Sequence, residues 1–157
     1  MSATQIVIVI PARYGATRLP GKPLVPIAGT PMIQRVYERA KLSKLATSVI
    51  VATDDERIMK AVEAFGGQAR MTRSEHRTGT ERVAEVAAHM EGQVFVNVQG
   101  DEPLLNPEVV DSGIQALLEE PAAAIATVAT PIKVSADIMD PNVVKTVLDF
   151  DDNALYF

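Results

Sequence analysis

Ile6-Val7-Ile8-Val9-Ile10 contains no polar position. A strand with one wet face alternates; an unbroken β-branched run belongs to a strand buried on both faces. Ser48 to Ala52, Val94 to Val98 and Ala124 to Ala129 have the same character, and each predicts a strand. Between these runs the period lengthens. Ile33, Val36, Tyr37 and Ala40 share one helical face, as do Ile58, Met59, Val62 and Phe65. Val83, Val86, Ala87 and Met90 form a third stripe, and Val110, Ile114, Leu117 and Leu118 a fourth. Helix starts are signalled by Thr30-Pro31 and Asn106-Pro107, each a capping residue before proline. Thr53-x-x-Glu56 and Thr78-x-x-Glu81 read as capping boxes, and Gly66-Gly67 stops the second helix.

Helices interleaved with doubly buried strands predict an α/β fold in three layers, a doubly wound, mostly parallel sheet of the Rossmann-like kind. At 157 residues the chain is expected to form one domain with a real core. Its end departs from the pattern. Val143 to Leu148, an Asp-rich turn and Ala154-Leu155-Tyr156-Phe157 read as strand, turn, strand. A last strand that stays apolar either caps the sheet or belongs to a longer protein, and the second is expected.

Composition narrows the chemistry. Hydrophobic residues make up 47% and charged residues 22%, too apolar for a disordered chain. Cysteine is absent, which removes disulfides and thiolate chemistry. No stretch reaches the length of a membrane helix, and no basic segment precedes the first apolar run, so a soluble cytoplasmic protein is expected. Net charge is −5, yet no acid precedes Glu38, whereas Arg13, Arg18, Lys22 and Arg35 do. An acidic body disfavours nucleic acid as a partner; a local cationic segment suits a small anion.

That segment is "IPARYGATRLPGKPL", Ile10 to Leu24, which follows the first strand. It is not a P-loop: five residues separate Gly15 from Gly21, and Pro23 follows Lys22 where Ser or Thr is required. Nor does the chain contain GxGxxG. Pro23 and Pro26 prevent an α-helix from starting there, so an irregular loop is expected to lie across phosphates with its side chains and amides. Gly100 lets the chain turn just past the strand ending at Val98 and places Asp101 outside its carboxyl end, the edge where open α/β sheets bind ligands. One carboxylate there suits Mg²⁺, which is held by one or two carboxylates plus phosphate oxygens; Asp also commonly serves only a turn. Thr78-Gly79-Thr80 opens a helix with free amides and hydroxyls, useful for a nucleotide or simply for capping. Thr53, Asp54 and Asp55 are assigned to capping and the helix dipole. His76 invites an acid–base role, but a loop histidine is more often merely exposed, and none is assigned; His89 needs none.

Three ordered segments carry a resemblance. "IPARYGATRLPGKPL", "MTRSEHRTGTERVAEV" and "VFVNVQGDEPLL" resemble the signature loop, nucleotide segment and metal segment of sugar-activating cytidylyltransferases, in particular the 3-deoxy-manno-octulosonate cytidylyltransferase (CMP-KDO synthetase) family. Sialic-acid cytidylyltransferases usually lack the Arg-Leu-Pro-Gly-Lys-Pro-Leu run. The resemblance implies a nucleotide-diphospho-sugar transferase-like fold and transfer of CMP from CTP to 3-deoxy-D-manno-octulosonate (KDO), with release of diphosphate and Mg²⁺ as cofactor, for lipopolysaccharide assembly. It implies catalytic roles for Lys22 and Arg18, nucleotide contacts from Ala12, Arg13, Arg73, Thr78, Gly79, Thr80 and Arg82, sugar-acid contact from Gln99 and metal ligation by Asp101. Glu102 is placed beside the metal ligand as support. The family is homodimeric and longer, so residues 1–157 are expected to form a CTP-binding domain that stops before the sugar-binding and dimerisation portion. A sialic-acid enzyme and a CTP-binding module without turnover remain the rival readings.

Overall fold

The computed structural model describes residues 4–15 and 19–157. Its centre is a four-stranded sheet in the order β5-β4-β1-β6, formed by Ala69–Met71, Ser48–Thr53, Ile6–Ala12 and Val94–Asn97. Every pairing is parallel: Ile8 lies opposite Val49 on one side and Val96 on the other. Both faces of β1 are buried, as its unbroken apolar run requires. Ile6, Ile8 and Ile10 pack with Ile33 and Val36 of α1 (Met32–Ala40), Ile58 and Val62 of α2 (Glu56–Ala64), and Val110 and Ile114 of α4 (Pro107–Glu119). Val7 and Val9 pack on the opposite face with Val83 and Val86 of α3 (Gly79–Ala88). Helices on both faces give the three-layer, doubly wound α/β fold expected. Among the described residues no helix is long and apolar enough to cross a membrane.

β1 runs two residues past Ile10, through Pro11. The Val9 carbonyl accepts from Val98 N–H at 3.1 Å, so Val9 points its backbone groups toward β6. Pro11, two residues on, points the same way, where the β6 pairing has already ended at Asn97. The missing N–H therefore costs the sheet nothing.

Two expected caps belong to strands instead. Thr30–Pro31 (β3) pairs with Pro26–Ile27 (β2) across Ala28-Gly29, both at positive φ, so α1 starts at Met32 without a side-chain cap. Thr53 is the fully buried last residue of β4, and Asp55 caps α2 by accepting from Arg57 N–H. Thr78 and Asn106 cap α3 and α4 as expected.

The largest departure is at 124–129, which is not a strand. A groove lined by Phe95, Val96, Val109 and Leu117 lies between this segment's Ile125 and Val128 and the outer edge of β6, so strand-forming residues lie there out of pairing distance. Beyond a short helix, α5 (Ala136–Met139), Val147–Leu148 (β7) and Ala154–Tyr156 (β8) make the anticipated hairpin. It forms its own two-stranded sheet and does not cap the main one.

Candidate nucleotide site

Because the central strands are parallel, β1, β4 and β6 release their following loops at one edge. The loop after β1 is folded back on itself. Gly21 N–H donates to the Tyr14 carbonyl at 2.8 Å, and Gly21 takes φ 70° with its Cα against the Tyr14 ring. A side chain there would need a strained φ and would begin 3.0 Å from that ring, so glycine is required. The chain then makes one 3₁₀ turn, Lys22–Leu24, in place of an α-helix. The loop after β6 passes close to the end of β1: a Cβ on Gly100 would sit 2.9 Å from the Pro11 carbonyl oxygen.

These two glycines bring distant charges together. Lys22 Nζ lies 2.5 Å from Asp101 Oδ2, across 79 residues of sequence. Both side chains remain 39% and 49% exposed, so the pair is available to an incoming ligand.

The third contribution is the segment 72–78 between β5 and α3. It has no regular structure and is held by side chains projecting from α3. Thr78 Oγ1 accepts from Glu81 N–H at 3.1 Å, while Glu81 Oε2 accepts from Arg77 N–H at 2.7 Å. The capping box is therefore closed one residue earlier than its usual form. Arg82 is buried; it forms an ion pair with Asp54 at 2.9 Å and donates to Thr72 Oγ1 and the Arg73 carbonyl. Glu85 accepts from Arg73 N–H at 3.0 Å and contacts His76 Nε2 through the same oxygen. The hydrogen bond from His76, with the Arg73 amide, holds the Glu85 carboxyl below the usual glutamate range.

The loops enclose a cavity of about 310 Å³. Of the residues expected at a site, Ala12, Arg13, Lys22, Thr78, Gly79, Arg82, Gln99 and Asp101 line it. Arg73 and Thr80 do not: the Arg73 side chain is mostly exposed beside Glu85, and Thr80 borders the groove at β6. Glu102 also lies off the wall. Arg18 falls outside the described residues. His76 is not the exposed loop histidine expected; its side chain is 10% exposed, contacts Glu85 and lines the cavity. Arg77, Met32 and the two prolines Pro11 and Pro23 complete the wall unanticipated. Arg77 could have been suspected from its place beside Thr78; nothing in the sequence marks Met32. Asp54, assigned only to a helix terminus, is the ion-pair partner of Arg82.

The cavity joins cationic side chains to one carboxylate, an arrangement that neutralises a polyanion. Among the described residues no three His, Asp or Glu side chains could hold a metal by themselves. The donor set fits a divalent ion delivered on phosphate oxygens and touched by Asp101, not a protein cage.

Fold and site together define a three-layer α/β protein with a cationic cavity at the carboxyl edge of its parallel sheet. The chain belongs to the cytidylyltransferase family, whose model matches residues 7–157. It is 55% identical over 152 residues to the 3-deoxy-manno-octulosonate cytidylyltransferase of Pelobacter propionicus, an alignment covering 97% of this chain and 60% of the relative. The enzyme of the same name from Geobacter sulfurreducens is 50% identical over 97% of this chain and 61% of its own length. The chain thus spans about three-fifths of the curated relatives it matches. A solved structure of CMP:2-keto-3-deoxy-manno-octonic acid synthetase complexed with CTP superposes with a TM-score of 0.89 at 45% identity, covering 98% of this chain and 63% of that one. A cytidylyltransferase from Leptospira borgpetersenii gives 0.65 at 27% identity, covering 74% of this chain and 50% of that one.

Proposed function

We propose that the chain binds CTP with Mg²⁺ and supplies the nucleotide half of a transferase that activates 3-deoxy-D-manno-octulosonate. The observation that carries this reading is the Lys22–Asp101 pair at 2.5 Å on the wall of the cavity. The pair supports the reading because a cation suited to phosphate and a carboxylate suited to a divalent metal lie within the span of one phosphate group. The substrate assignment is supported by relatives named for that sugar acid at 50–55% identity, and by a CTP-bound structure of the same fold.

In the proposed reaction the anomeric hydroxyl of the sugar acid attacks the α-phosphorus of CTP. The new bond is oxygen to phosphorus, diphosphate leaves, and the hydroxyl proton is lost. Such transfers ask a protein chiefly for positioning and charge neutralisation. Lys22 and Arg13 face the polyphosphate, with Arg18 assigned there by its place in the same loop. Thr78 and Gly79 meet the nucleoside. Gln99 faces the sugar acid. Mg²⁺, when bound, would neutralise charge on the phosphates, with Asp101 as its protein ligand.

Calorimetry with CTP and Mg²⁺ tests the binding step on this chain, and heat with saturable 1:1 stoichiometry is expected. In a chain extended to the length of its relatives, diphosphate release then separates substrates: KDO should support it and a sialic acid should not. Absence of CTP heat overturns the nucleotide reading; equal release with both sugar acids overturns the substrate.

A further inference from the structure

The cavity wall at 76–78 is carried by a segment with no strand or helix of its own, so something else must fix its shape. Three residues on the first two turns of α3 do so. Glu81 takes the Arg77 amide, Arg82 takes the Thr72 hydroxyl and the Arg73 carbonyl, and Glu85 takes the Arg73 amide and the His76 ring. Arg82 reaches the cavity itself. Glu85 does not: it stands behind the wall with its side chain 16% exposed. Glu85 grips the segment at Arg73 and again at the cavity-lining His76 ring, whereas Arg82 holds only its start, at Thr72 and Arg73. The other His76 nitrogen, Nδ1, lies 3.8 Å from Glu81 Oε2, so the imidazole stands between two carboxylates of one helix.

We propose that Glu85 is a positioning residue for nucleotide binding, acting through His76 to hold the 73–78 segment in its cavity-lining conformation. The inference rests on the nucleotide reading above. Its physical basis is preorganisation. A binding loop already held in place does not have to be ordered by its ligand, and affinity falls when that support is removed even though no contact to the ligand is lost. Glu85 and His76 should therefore act as one unit, with neither adding much once the other is gone.

The test is a double-mutant cycle in CTP affinity, measured calorimetrically on the 157-residue chain with Mg²⁺. Glu85→Gln keeps an acceptor oxygen for the Arg73 amide but removes the charge facing His76; His76→Asn removes the ring. Each single variant should weaken CTP binding about fivefold, and the double variant should be no more than about twofold weaker than either. Ligand-free melting temperatures should stay within a few degrees of wild type, because the sheet and helix packing are untouched. Unchanged affinity in Glu85→Gln overturns the inference. So does an equal further loss when Glu85→Gln is added to His76→Asn, which would mean that Glu85 acts on the fold and not through the ring. If the wild-type chain itself does not bind CTP, the nucleotide reading fails first and this inference with it.

Discussion

Lys22 and Asp101 are each other's partner in the structure. Under the proposed reading a triphosphate uses Lys22 and a metal uses Asp101, so each ligand would compete with this internal pair. With a metal-bound nucleotide both ends are satisfied together. With metal-free CTP, the Asp101 carboxylate both repels the phosphates and holds the lysine. Asp101→Asn should thus act in opposite directions. In EDTA it should tighten CTP binding about three- to fivefold, the scale of an exposed ion pair; in Mg²⁺ it should weaken binding. The experiment is the same titration in the two buffers, repeated in a Lys22→Met background. Tightening that persists undiminished without Lys22 would show repulsion alone, and a variant unaffected by Mg²⁺ would remove Asp101 from metal binding.

Among the elements, α4 packs on the sheet through Val110 and Ile114 and is tied to the α1–β4 turn by Asp111. Asp111 accepts from the amides of Lys44 at 3.0 Å and Leu45 at 3.3 Å and from the Ser43 hydroxyl, joining α4 to the turn between α1 and β4. Burial pushes its carboxyl up, but these donors outweigh that and hold it below the usual aspartate range. A carboxyl depressed in the folded state stabilises above its unfolded value, and the contribution is lost as pH falls through the folded one, here below about pH 4. Asp111→Ala should cost about 1–3 kcal/mol at pH 7, with the deficit shrinking toward pH 3. Denaturant melts at both pH values check it, and a pH-independent difference would contradict the linkage. None of this was legible beforehand, since Asp111 is one acid among many on a helix. What the sequence did reveal were the elements whose pattern matches their burial: β1, β4, β6 and the stripes of α1 to α4. β5 escaped notice because Ala69-Arg70-Met71 is too short, and half polar, to show a pattern. Thr30 and Thr53 imitated caps because a threonine ending a strand and one preceding a helix look alike in one dimension. The site was legible where chemistry concentrates, at Lys22, Asp101 and Thr78. It was illegible where a residue matters by support, as with Glu85 and Asp54, and for Arg82 the sequence suggested a place at the site but not the ion pair with Asp54.

At the scale of the molecule, burial divides the chain unevenly. The parallel sheet and the four long helices hold the buried hydrophobic residues, and the last of these along the chain is Ile114. From 120 onward most of the large apolar side chains are exposed, with Ile125 at 85% and Phe150 at 107%. The segment 124–129 shows why burial decides the outcome. Its residues favour a strand, but propensity in β-structure is largely the fit of side chains to a pleated neighbour, and the groove beside β6 denies it one. Local opening free energy follows buried contacts and backbone pairing, so the two parts should open independently. In hydrogen exchange the amides of Ile8, Val9, Ile50 and Val51 should be the slowest, exchanging by global unfolding. Those of 124–134, which make no regular backbone ladder, should exchange faster by several orders of magnitude. CTP should slow exchange at 73–79 and around Lys22 while leaving 124–134 fast, because the cavity and the β6 groove share only Gln99 and no residue of 124–134 lines the cavity. Slow exchange at 124–129 in the ligand-free chain would mean that these residues are paired in a sheet, and would return the strand to its place beside β6.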